Sequence, residues 1–293
     1  MAQKITKALI PAAGFGTRFL PQTKAMPKEM MPLVDKPIIQ RVVEELVEAG
    51  IETIVIVTGW NKRSIEDHFD RNAELEMLLE KAGKEQQLEE VRKISNMAEF
   101  VYLRQKGLQG NATPILNAKH IMGDDPFMVF WGDDFIDAEP SRAKQLADAY
   151  QKYGTMVLGG LKNPSEEAYK KYAYVGGETV GDGVIKVSKI VEKPGHGVEG
   201  LSDLSIISGF VVTPEIYEHL ERVKQNLNGK ELVYTLGIQS MIDAGLDVHA
   251  LELKNAKYRD TGNKLEYLKT LVEYGLKHPE FGAEFKEFLK KLS

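Results

Sequence analysis

Apolar positions along this chain follow two alternating spacings. Short β-rich runs fall at Ile5–Ile10, Ile51–Thr58, Phe100–Leu103, Phe127–Trp131 and Met156–Leu161, and predict strands. Ile54-Val55-Ile56-Val57 is apolar without a break, the pattern of a strand buried on both faces. Between the runs, Ile38–Ala49 (IIQRVVEELVEA) places its apolar residues at helical spacing, and Gly50 stands where a glycine closes a helix. Glu74–Ile94 predicts a long charged helix, or a pair broken near Gly83, and Ser141–Tyr153 predicts another helix. This alternation predicts an α/β fold, a Rossmann-like doubly wound, mostly parallel (mixed) sheet with helices on both faces. The pattern then changes. Val184–Glu192 and Ser205–Val212 have antiparallel character, Thr213-Pro214-Glu215 predicts the start of a short helix, and Leu265–Leu292 a helical tail divided at Pro279. No repeat, low-complexity tract or flexible linker interrupts the chain, so a single domain over residues 1–293 is expected.

The stretch richest in chemistry is LIPAAGFGTRFLPQTKAMPKEMMPLVDKP, residues 9–37. Gly14 and Gly16 let the backbone pass close to a ligand, because neither carries a Cβ. Consecutive N–H groups in such a turn make an anion-binding concavity. Arg18 adds a forked, permanent charge, and Lys24 and Lys28 add compact ones. A P-loop and a dinucleotide fingerprint would each need glycine at position 19, where Phe19 stands. Pro21, Pro27 and Pro32 make the segment irregular and non-helical. A glycine turn followed by spaced cations suits a nucleoside triphosphate. Further on, the Phe127–Trp131 run ends in Gly132-Asp133-Asp134. Ligands of open α/β sheets bind beyond the carboxyl ends of strands. Asp133 is therefore placed for Mg²⁺, which prefers one or two carboxylates plus phosphate oxygens and water. Asp134 could either assist Asp133 or cap the turn. Asp260, in Tyr258-Arg259-Asp260-Thr261-Gly262-Asn263, is the candidate second acid.

Composition narrows the classes. A net charge of −5 and a pI near 5.8 argue against a nucleic-acid-binding surface. The chain has no cysteine, which excludes disulfides, thiolate metal sites and cysteine nucleophiles. No apolar run approaches the roughly 18 residues of a membrane span. The start, MAQKITKALIP, lacks the apolar region of a secretory signal, so a cytoplasmic enzyme is expected. The six histidines show no metal-ligand spacing, and Trp60 and Trp131 are expected to pack rather than to stack on a ligand.

The 9–37 stretch resembles the signature of the sugar-1-phosphate nucleotidyltransferases, G-x-G-T-R-x-x-P-x-T-x-x-x-P-K. VTGWNKRSIEDHFD (57–70) and ELEMLLEKAGKEQQLEEVRKI (74–94) are similar to the same family, particularly to bacterial members acting on UTP and glucose 1-phosphate. The match is close over the first half and looser after about residue 105. The resemblance implies a GT-A-like architecture with a nucleotide-binding part over about 1–135, a sugar-binding part over about 136–263 and a helical tail over about 264–293. It implies in-line attack by glucose 1-phosphate on the α-phosphorus of UTP, giving UDP-glucose and pyrophosphate, with Mg²⁺ as cofactor. Arg18, Lys28 and Lys193 would then be the catalytic cations, and Asp133 and Asp260 the metal ligands. Ala12, Ala13, Gly14, Gly16 and Thr17 would take the nucleotide together with Gln105 and Gly110, the Gln105 amide both donating and accepting at the uracil edge. Glu192 and Lys193 match the family's sugar-phosphate motif, and Ala173 and Gly209 occupy its sugar-facing positions. A homodimer or homotetramer is also implied, through the C-terminal helices.

Three departures touch the expected substrate pocket. Asn111 replaces a histidine, Ala173 a glycine, and Leu236 an acid. They leave open another pair, such as dTTP with glucose 1-phosphate, or a catalytically weak homologue that binds nucleotide sugars.

Overall fold

Nine strands form one mixed sheet in a computed structural model that describes residues 2–107 and 109–292. Their order is Glu99–Arg104, Thr53–Thr58, Lys7–Ala12, Phe127–Val129, Leu204–Val212, Met156–Lys162, Val248–Glu252, Val184–Glu192 and Ala173–Gly181. The first four run parallel, with Leu9 between Val55 and Val129. Leu204–Val212 then runs antiparallel to both neighbours, and Val184–Glu192 does likewise, as the change of pattern after residue 161 predicted.

The uninterrupted apolar strand is buried on both faces. Side chains alternate across a strand, so Ile54 and Ile56 enter one core and Val55 and Val57 the other. On the first face, helix Ile38–Glu48 buries Ile38, Ile39, Val42, Val43 and Leu46. On the second, helices Thr113–Met122, Ile216–Gln225 and Tyr234–Asp243 contribute Ile115, Leu220 and Ile238. Each large side chain buried this way contributes roughly 1.5–3 kcal/mol. The charged segment is a helix pair, Ala73–Lys81 and Glu85–Ser95, divided at Gly83. The tail is also two helices, Lys264–Lys277 and Gly282–Leu292, the first capped by the Asn263 side chain.

Several boundaries differ from those expected. The first strand lies two residues later than predicted, and the fourth ends at Val129 rather than Trp131. The helix after Thr213 begins at Ile216, with no side-chain cap. The glycine–proline loop is not devoid of helix. It makes three 3₁₀ turns, Thr17–Phe19, Gln22–Lys24 and Lys28–Met30, and Pro21 and Pro27 each stand just before one. Proline obstructs a helix interior but is pre-set for its first turn.

A small two-stranded ribbon carries chemistry to the sheet edge. Phe135–Ala138 pairs antiparallel with Ala256–Arg259, so the chain that leaves Asp133-Asp134 meets the chain that enters Asp260. Arg259 locks this ribbon, its guanidinium reaching Asp137 at 2.8 Å and Glu273 at 2.7 Å.

Candidate active site

The first strand delivers Ala13-Gly14 to the carboxyl edge of the parallel half of the sheet. Gly16 is left-handed, at φ 67°, and its carbonyl accepts the Thr23 hydroxyl at 2.7 Å. That closes the loop on itself and returns Lys28 beneath Gly14. The Lys28 ammonium donates to the Asp133 carboxylate, and both side chains are mostly buried. Burial alone would lower the Lys28 ammonium, but Asp133 and Glu29 outweigh it and hold it above its ordinary value. Burial likewise works to raise the Asp133 carboxyl, and Lys28, Arg18 and Lys62 together hold it below the usual range. The pair is therefore ionised over the physiological range.

The Asp260 segment closes on the same point. The Thr261 hydroxyl donates to the Asp133 carbonyl, and the Gly262 N–H donates to Asp260 Oδ1 at 3.0 Å. The Arg18 guanidinium lies directly against Gly262, so a Cβ there would displace it from its present position. Tyr258 and Tyr172 meet edge to face beside the two acids, with ring centroids 6.0 Å apart. Burial, then the nearby Asp260, pushes the Tyr172 phenol up to about 12.

Two cavities meet here. One, of about 650 Å³, is lined by Ala13, Gly14, Gln105, Gly110, Asn111, Trp60 and others. The second, of about 570 Å³, is lined by Tyr172, Lys193, Tyr258, Asp260 and Asn263 among others. Arg18, Asp133, Asp134 and Lys171 border both, which makes them the junction. Lys28 borders the first cavity. Lys193 has φ 46°, unusual for a residue with a side chain, and its N–H donates to the Tyr172 carbonyl at 3.1 Å. Burial raises the neighbouring Glu192 carboxyl, partly offset by Lys193.

Other expected residues stand outside the cavity walls. Ala12 is buried at the strand end, while Gly16 and Thr17 shape the turn. Glu192 stands beside Lys193, its Oε1 3.8 Å from the ammonium. Ala173 is buried with Val175 in the core, because the strand alternates and Tyr172 takes the cavity side. Gly209 packs beneath the wall, against Phe130 and Arg142. Of the three departures Asn111 alone lines either of these two cavities; its side-chain oxygen also accepts the Tyr234 N–H at 2.9 Å. Leu236 lies in a separate groove with Arg222 and Gln239. Trp60 does not pack into the core as expected; it is largely exposed at the rim of the first cavity. Gly59 before it and Asn61-Lys62 after it mark a turn at the strand end, and that was the available signal. Lys171 went unnoticed because a lysine in a charged turn carries no pattern of its own.

A family model described as nucleotidyl transferase matches residues 7–275. The chain belongs to the nucleotidyl transferase family. Within it, this member is 44% identical to the UTP–glucose-1-phosphate uridylyltransferase of Staphylococcus epidermidis and 43% to that of Staphylococcus haemolyticus, over 99% of each chain in both cases. Among solved structures it resembles a UDP-glucose pyrophosphorylase complexed with UDP-glucose, with TM-score 0.82, 37% identity and coverage of 94% of this chain and 100% of that one. It also resembles a UTP-bound enzyme of the same kind from Acinetobacter baumannii, with TM-score 0.88, 35% identity and coverage of 99% and 100%. Among the described residues, no helix of this nucleotidyl transferase is long and apolar enough to cross a membrane.

Proposed function

We propose that this protein transfers a uridylyl group from UTP to glucose 1-phosphate, releasing pyrophosphate and giving UDP-glucose. The observation that carries the reading is the junction of two cavities at Arg18 and Asp133, with Lys28 on one side and Lys193 and Asp260 on the other. That arrangement suits a triphosphate in one cavity and a sugar phosphate in the other. The whole-length likeness to uridylyltransferases supports the same substrates.

In this reading the phosphate oxygen of glucose 1-phosphate attacks the α-phosphorus in line, and pyrophosphate leaves. The attacking group is already ionised, so no general base is required, and catalysis is positioning plus charge stabilisation. Arg18 stabilises the leaving pyrophosphate, Lys28 contacts the phosphates at the reacting centre and Lys193 holds the incoming phosphate. The Gln105 amide and the Gly110 backbone face the base.

The donor set fits Mg²⁺. Asp133 and Asp260 border one cavity, and no cluster of three or more acid or histidine ligands exists among the described residues. Two carboxylates leave the remaining positions to phosphate oxygens and water, as Mg²⁺ prefers. Held there, the ion would neutralise triphosphate charge.

The helix Lys264–Lys277 leaves Leu265, Leu268, Val272 and Leu276 exposed along one stripe, which supports a homodimer or homotetramer.

The test is pyrophosphate release, with and without Mg²⁺, for UTP, dTTP, CTP, ATP and GTP against several sugar 1-phosphates. The expected result is a dominant, Mg²⁺-dependent signal for UTP with glucose 1-phosphate. Release with a different pair would change the substrates and keep the chemistry. No release with any pair would remove the catalytic reading.

A further inference from the structure

Phe15 and Trp60 are 66% and 76% exposed, and both line the nucleotide-side cavity. Two large aromatic rings thus stand mostly in water at the rim of one cavity. Among the described residues neither makes a ring contact with another aromatic, whereas Trp131, which lines the same cavity, packs against Phe210 and Tyr234.

Their backbones are nevertheless held firmly. Gly59 lies against Ala13, where a Cβ would come within 2.7 Å of the Ala13 carbonyl. The turn carrying Trp60 is thus in backbone contact with the turn carrying Phe15. From the other side, the Arg104 guanidinium donates to the Gly59 carbonyl at 2.5 Å and the Gln105 N–H to the Thr58 carbonyl at 2.9 Å. Beyond Trp60, Asn61 is left-handed, at φ 58°, and its amide donates to the Lys24 carbonyl at 3.4 Å. Trp60 therefore projects from a pinned turn between the glycine loop and Gln105.

We infer that Phe15 and Trp60 form an aromatic rim that covers the nucleobase, Trp60 by stacking on its exposed face. The inference rests on the nucleotide reading above and adds to it a second, edge-independent mode of base recognition. Every base has a π-face, so stacking supplies affinity without selecting among bases, and selection stays with groups such as Gln105 that meet the base edge. A ring held on a rigid turn gives up little freedom on binding, which favours its use as an anchor.

The experiment measures, by calorimetry on the full chain, the Kd of UTP, CTP and inorganic tripolyphosphate for the wild type and for Trp60→Ala, Trp60→Phe and Phe15→Ala. Both side chains are exposed, so the variants are expected to fold, and circular dichroism checks this. Base–aromatic stacking supports roughly a five- to hundredfold effect. Trp60→Ala should weaken UTP and CTP by similar factors in that range and leave tripolyphosphate unchanged. Trp60→Phe should recover most of the loss, and Phe15→Ala should show a smaller one. In steady state the Trp60→Ala effect should fall on the KM for UTP rather than on kcat. UTP binding by Trp60→Ala within twofold of wild type, or equal loss of UTP and tripolyphosphate, would overturn the stacking role while the nucleotide reading stands. Failure of the wild type to bind any nucleoside triphosphate would overturn both.

Discussion

Replacing Lys28 with methionine tests the centre of the site, because its ammonium is the partner of Asp133. Two effects should separate. The first is on stability. Breaking a fully dry ion pair by removing one partner costs about 3–5 kcal/mol. Here the side chains keep 24% and 17% exposure, and Arg18 and Lys62 also act on Asp133, so roughly 1–3 kcal/mol is expected. At roughly 2–4 °C per kcal/mol, this corresponds to a fall in Tm of about 2–12 °C. The second effect is on turnover. An electrostatic stabiliser of developing charge supplies about 10²–10³-fold in kcat. The double variant Lys28→Met/Asp133→Asn removes both charges, so it should regain most of the stability and none of the turnover. Calorimetric melting and pyrophosphate release would be measured on the same preparations. A kcat for Lys28→Met within threefold of wild type would refute a role for this ammonium at the reacting phosphates. Turnover restored together with stability in the double variant would show that the pair is only structural.

Three further outcomes are expected. Glu29 and Lys62 form a 2.7 Å pair beneath the loop, with side-chain exposures of 0% and 3%, so Lys62→Met should cost about 3–5 kcal/mol, with most of that regained in Lys62→Met/Glu29→Gln; urea midpoints check this, and a loss under 1 kcal/mol would contradict a dry pair. Lys171, at the junction and 2.5 Å from Glu167, is expected to contact substrate phosphate, so Lys171→Ala should raise a substrate KM about tenfold while Lys171→Arg stays near wild type; unchanged KM values for both substrates would exclude it. Hydrogen bonds from Lys257 and Arg259 hold Glu273 down at about 2, so its contribution is fully present above the ordinary carboxylate range and is lost as pH falls from about 4.5 towards 2. Glu273→Gln should flatten the melting curve against pH over that window, and an unaltered pH dependence would count against the ion pair.

Much of this protein was determined locally and could be read in its residues. The continuous run at 54–57 requires a strand covered on both sides, because each alternate side chain must leave water. The division of the charged helix at Gly83 and of the tail at Pro279 follows from the backbone preferences of those two residues. Gly14, Gly16, Arg18 and Lys28 lie within one short stretch, so the expectation of a phosphate-binding loop could be formed from the residues alone. What the chain could not declare is whatever depends on distant segments arriving together. Asp133 and Asp260 are 127 positions apart, and only the pairing of Phe135–Ala138 with Ala256–Arg259 brings them to one cavity. The phase of a strand relative to a cavity is equally invisible. Hence Ala173, expected at the sugar, sits in the core, and its neighbour Tyr172 takes the wall. Trp60 shows the same limit in reverse, since a tryptophan beside an apolar strand reads as packing until the turn that carries it is seen to face water. Local sequence sets propensity and which residue types are available. Tertiary structure sets which way each side chain faces and which charges share one cavity, because burial and Coulomb energy depend on distances through space rather than along the chain.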